Sequence, residues 1–144
     1  MSPGATLGGL LTAGLALGAP AAHASGPGSC AAGDGSTGRG GDGCLYYHPD
    51  QVGGYYGYPY NVNYQGKTFG SCNKGSSAGD GQSVGNNAAW VQNWDTACTL
   101  YVWVYPLGTS NNIKQTIAPW TAGNLNSTLR NNNASQTWGG PGDC

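Results

Sequence analysis

The sequence predicts an all-β domain, stapled by disulfides and built from two related units. Three observations carry this. Asn86-Asn87-Ala88-Ala89 returns as Asn132-Asn133-Ala134-Ser135, offset by 46 residues. An aromatic residue precedes a glycine by seven positions twice, as Tyr47…Gly54 and Tyr101…Gly108. Five cysteines sit in a chain with no glutamate and only 8% charged residues. No window shows the 3.6-residue apolar period of a helix.

Residues Ala5 to Ala21 are small and apolar and end at Ala22-His23-Ala24, an A-x-A cleavage pattern. Residues 1–24 are therefore expected to be a secretory signal peptide, leaving Ser25 to Cys144. Export makes disulfides the default state of the cysteines. Cys30, Cys44, Cys72, Cys98 and Cys144 can be arranged in five ways of leaving one out, times three ways of pairing the rest. The favoured pairs are Cys30–Cys44 and Cys72–Cys98, with Cys144 left over. Metal binding by thiolates finds no support, because no C-x-x-C occurs and His48 is the only histidine after residue 24.

Residues 25–43 are rich in glycine and are read as a flexible leader, tied in part by Cys30–Cys44. The domain is placed at 44–144, with repeat units at about 44–95 and 98–138. Cys44 to Tyr47 reads as a short strand, and His48-Pro49-Asp50-Gln51 as a turn. Tyr56, Tyr58, Tyr60, Val62 and Tyr64 alternate with Gly57, Pro59, Asn61 and Asn63, which places the aromatics on one face of an extended segment. Pro59 cannot donate to a ladder, so the segment is an edge or a bend. Phe69 to Gly85 is a polar loop. In the second unit, Thr99 to Tyr105 is the strongest strand, with Leu100, Val102 and Val104 on one face. Ile113 to Ile117 reads as another strand. Asn124 to Asn133 is a loop with at most one helical turn, since Asn and Ser compete with the helix backbone.

The order Leu45-Tyr46-Tyr47…Gly54…Asn86-Asn87-Ala88-Ala89, then Tyr101…Gly108…Asn131-Asn132-Asn133-Ala134-Ser135…Trp138 resembles the βγ-crystallin Greek-key pattern. More narrowly, it is similar to a secreted bacterial peptidase-inhibitor family of that fold, whose type member inhibits metalloproteinases. The resemblance covers roughly residues 44 to 138. It implies two Greek-key units packed as a βγ-crystallin-like β-sandwich. It also implies inhibition of an extracellular protease through a rigid exposed loop that enters the cleft extended.

The best loop for that role is Cys72-Asn73-Lys74-Gly75-Ser76, long, polar and expected to be pinned by Cys72–Cys98. The crystallin pattern also implies a calcium motif. Asn131, Asn132 and Ser135 fit it, while Gln136 stands where a serine is expected and the first copy has Ala89 at the hydroxyl position. Calcium takes six to eight oxygens, and neither copy offers a carboxylate, so structural corners are the competing reading and no cofactor is expected. A carbohydrate- or cell-wall-binding module is the rival function, through Tyr55, Tyr56, Tyr58, Tyr60 and Tyr64 with Asn61 and Asn63. A structural crystallin-like protein without a ligand is a third. Catalysis is not expected, since one histidine and scattered aspartates suggest no acid–base or nucleophile pair. Lys67, Lys74, Lys114, Arg39 and Arg130 form no basic stripe, which argues against nucleic acid. After cleavage no membrane association is expected, and the protein is expected to be an extracellular monomer whose partners are a protease and, in the rival reading, a polysaccharide.

Overall fold

Alternation along Thr99–Trp103 is the clearest local signal, and the computed structural model realises it. Leu100 and Val102 are fully buried, while Tyr101 and Trp103 face outward, their rings covered by the Lys114 ammonium at 3.9 and 5.0 Å. The structure describes residues 26–33, 40–140 and 144. Its strands are β1 (Gly26–Pro27), β2 (Gly43–His48), β3 (Val52–Tyr58), β4 (Val62–Asn63), β5 (Trp90–Asn93), β6 (Thr99–Trp103), β7 (Lys114–Ile117), β8 (Ala122–Asn124) and β9 (Ser135–Gly139). The signal-peptide expectation falls on residues outside the described ones. Among the described residues no helix is long and apolar enough to cross a membrane.

All pairings are antiparallel, and the two sheets run β1-β3-β2-β5-β8 and β4-β9-β6-β7. β2–β5 form the first unit and β6–β9 the second. The third strand of each unit leaves its own sheet and joins the other: β4 pairs with β9, and β8 with β5. Two Greek keys interlocked in this way cannot complete either sheet alone. Leu45, Tyr56 and Val91 from one sheet meet Leu100, Val102, Ile117 and Trp138 from the other in one core.

Residues 26–33 and 40–43 of the leader lie against the sheet. Gly26–Pro27 adds a strand to the edge of β3, pairing with Gly57 and Tyr56. Gly33 N–H donates to Trp94 O at 3.0 Å, and the buried Asp95 carboxylate accepts from Gly40 and Gly41 N–H at 3.0 and 3.4 Å. Glycine is what permits this contact. A Cβ on Gly57 would run into the Ser29 carbonyl, and one on Gly41 into the Trp94 carbonyl. At both positions the missing side chain lets two backbones touch.

The tyrosine alternation holds only in part. Tyr56 and Tyr64 are buried, Tyr58 is half-buried, and Tyr60 is 56% exposed. Pro59 ends β3, the chain crosses to the other sheet before β4, and Tyr60 lies in the crossing where no period applies.

The disulfides are Cys30–Cys44 and Cys98–Cys144. The expected Cys72–Cys98 pair is not formed, and Cys72 is a free, exposed thiol. Position explains the correction. Cys98 is fully buried at the entry to β6, and Thr99 pairs with Gly139 at the end of β9, so the chain beyond β9 arrives beside it. Cys72 lies on a surface loop laid against Gly53 in the other sheet.

Candidate functional site

Two regions hold the residues singled out by the sequence: the loop after Phe69, and the asparagine-rich corners. In the loop, Asn73 and Gly53 exchange both backbone hydrogen bonds, at 3.1 and 3.3 Å, and the Asn73 amide donates to Gln51 O at 2.7 Å. Ser76 N–H closes back on Asn73 O at 3.2 Å, with φ of +53° at Lys74 and +72° at Gly75, the signature of a type I′ turn. Lys74 Nζ donates to Asp50 O. The loop is therefore held without the Cys72–Cys98 staple, and Cys72, Lys74 and Gly75 are exposed at its tip. Its tip is a tight turn and not the extended segment expected.

The corners are related by an approximate two-fold. Asn86 N–H donates to Asn133 O, and Asn131 N–H donates to Ala88 O, both at 2.8 Å. Both asparagines take the left-handed conformation, φ +63° and +57°, which a short amide side chain tolerates. Ala89 N–H bonds Tyr46 O as Ala134 N–H bonds Trp103 O. The structural repeat thus runs at an offset of 45, one less than the sequence match. Ala89 corresponds to Ala134 and Trp90 to Ser135, so Trp90, not Ala89, holds the hydroxyl position of the first copy. Asn133 takes the place of Ala88 and reaches across. Its buried Oδ1 accepts from Ala88 N–H at 3.1 Å, and its Nδ2 donates to Val84 O at 3.0 Å. The match by identity hid this role, because a run of three asparagines aligns equally well one step over.

Beside each corner lies a cleft. One, of about 200 Å³, is lined by Tyr47, His48, Asn87, Ala89, Arg130 and Asn131. The other, of about 500 Å³, is lined by residues of 63–66, 83–86, 104–106 and 132–134. The calcium candidates do not converge. Asn131 faces the smaller cleft, Asn132 the larger, and the buried Ser135 hydroxyl donates to Tyr105 O at 2.8 Å. Among the described residues neither cleft has a carboxylate, and the smaller one carries Arg130, whose charge repels a cation. These residues do not fit calcium. Among the described residues no three of His, Cys, Asp or Glu gather closely enough to hold a metal.

The tyrosine platform does not assemble either. Tyr56 and Tyr64 are interior, and Tyr55 stacks on Tyr46 at 5.3 Å. Burial, then Tyr58 and Asp42, pushes the Tyr56 phenol up to about 12. Burial first, then Tyr56, raises Tyr64 well above the ordinary range, and its hydroxyl donates to Gln136 Oε1 at 2.9 Å. Both are neutral structural groups. His48 is exposed, with its ring edge-on to Tyr47, and among the described residues the cleft it lines contains no serine, cysteine or carboxylate.

No protein-family model and no curated protein matches this sequence. A solved structure described as "Evolution of the eye lens beta-gamma-crystallin domain fold" is similar, with a TM-score of 0.50 and 14% identity, over 74% of this chain and 91% of that one. At that identity the likeness concerns the fold alone. It agrees with the interlocked Greek keys described above.

Proposed function

We propose that this βγ-crystallin-fold domain is a secreted, monomeric inhibitor of an extracellular protease, akin to the peptidase-inhibitor family its sequence resembles, and that the Cys72–Ser76 loop makes the contact. One observation carries the reading: the Asn73–Ser76 turn exposes Lys74 and Gly75 at its tip, yet is already fixed on Gln51 and Gly53 through its backbone and the Asn73 amide. A loop ordered before binding has little entropy left to lose, and that is where a small interface gains affinity. The positive φ values at Lys74 and Gly75 suit a knuckle that seals the mouth of a cleft, whereas a substrate-like strand would be extended. Resistance to cleavage follows, because the peptide bonds at the tip are not presented in an extended conformation.

The test is a panel of metallo- and serine proteases titrated with the purified protein. Inhibition of at least one at micromolar protein, weakened by Lys74→Glu, supports the reading. Absence of inhibition across the panel would sink it.

A further inference from the structure

The two clefts are built on equivalent backbone and have diverged in chemistry. Tyr47 and His48 in the smaller one correspond to Val104 and Tyr105 in the larger, and Arg130 corresponds to Gly85. With glycine in place of the arginine, the larger cleft has no Asp, Glu, Lys, Arg or His in its lining among the described residues. Its polar groups are carboxamides, from Asn63, Gln65, Asn86, Asn132 and Asn133, together with the Ser83 hydroxyl. Tyr105 supplies an aromatic ring that is 47% exposed. At about 500 Å³ the space falls in the range of small-molecule sites.

We propose that this cleft binds a neutral saccharide. A carboxamide offers two donors and an acceptor in one plane, which matches a sugar hydroxyl that both gives and takes a proton. A flat ring with an exposed face suits the apolar C–H face of a pyranose. An ionic ligand would find no countercharge there, and a purely apolar one would strip the amides of water without replacing their hydrogen bonds. The walls are pre-set. Asn63 Oδ1 accepts from Leu107 N–H at 2.8 Å, Ser135 Oγ holds the Tyr105 carbonyl, and Asn133 is bonded at both ends of its amide. Gln65 and Asn86 have no side-chain hydrogen bond among the described residues, so their amides are available to a ligand. This site is separate from the Cys72–Ser76 loop, so either reading can fail without the other.

The experiment is calorimetry or NMR titration of the full chain with chitotriose, cellotriose and mannotriose, and with a trigalacturonate as the acidic control. At least one neutral trisaccharide should bind at millimolar concentration or below, with no loss of affinity when sodium chloride is raised tenfold. Tyr105→Ala and Gln65→Ala change exposed side chains and should leave the melting temperature in place. Each should weaken binding, Tyr105→Ala by about tenfold, a loss of one aromatic contact. Protease inhibition should be unaffected by both. Failure of all three neutral sugars, equal or tighter binding of the acidic one, or binding indifferent to both substitutions would overturn the proposal.

Discussion

Replacing Asn133 by alanine should cost far more than replacing any other asparagine of the corners. The Asn133 amide is fully buried and bonds two backbone groups of the opposite unit, Ala88 N–H and Val84 C=O. Truncation leaves Ala88 N–H without a partner in a buried setting, at about 1–3 kcal/mol, and takes one of two hydrogen bonds from Val84 C=O, which keeps Asn87 N–H at 3.3 Å, at about 1 kcal/mol. We expect a total near 3 kcal/mol, a fall of about 10–15 °C in melting temperature for a domain of this size. Asn87→Ala is the control. Asn87 is half-buried, and its amide donates to Ser83 O within its own turn, so its loss should cost about 1 kcal/mol. The contrast discriminates between the two registers. At an offset of 46, Asn133 would be equivalent to Asn87 and the two substitutions would cost alike. At 45 they cannot. Urea unfolding monitored by tryptophan fluorescence measures both, and equal losses within about 0.5 kcal/mol would refute the cross-unit role of Asn133.

Three further predictions follow from the same structure. Cys144→Ser opens a cross-link spanning 46 residues and should cost about 4 kcal/mol in the chain-entropy account; Cys72→Ser should leave stability unchanged, and a thiol reagent should count one reactive group in the native chain, that of Cys72. Stability should fall in alkali: Tyr56 and Tyr64 have folded-state pKa values above the unfolded value near 10, so the folded state holds protons that the unfolded state releases, and their contribution, complete below pH 10, is lost as pH rises from there toward 12. A melt across pH 8 to 12 checks this, and a flat profile would remove it. Calcium at millimolar concentration should not shift the melting temperature, since neither cleft supplies a carboxylate; a rise of several degrees would show that the amides and carbonyls suffice.

The fold was legible where side-chain pattern and backbone agree. Leu100, Val102 and Val104 alternate with Tyr101, Trp103 and Tyr105, and the burial follows. The doubled aromatic–glycine and Asn-Asn-Ala signals reported two units. The interlocking of β4 and β8 was not written in any local window, because it is a choice of partner and not of conformation. Glycine misled at the described residues 26–33 and 40–43: composition cannot distinguish a glycine that is free from one that lets another backbone approach, as Gly41 does. The cysteine pairing failed for a related reason. Cys72 and Cys98 are close in sequence, but proximity at Cys98 is set by the end of β9. In the candidate site, the rigidity of the Asn73–Ser76 turn was expected from a disulfide and comes instead from Asn73 and the two left-handed residues after it. The larger cleft is not legible in the sequence, because its lining comes from four separate segments.

The measurement closest to the central claim is residual protease activity against rising concentrations of the native protein and of Lys74→Glu. Lys74 is exposed at the tip of the turn; reversing its charge also removes its bond to Asp50 O, while the Asn73 anchors to Gln51 and Gly53 stay in place. The account predicts stoichiometric inhibition of at least one extracellular protease by the native protein, with the curve shifted about tenfold or more, about 1.4 kcal/mol, by the substitution. Superimposable curves, or full activity at every concentration, would contradict it.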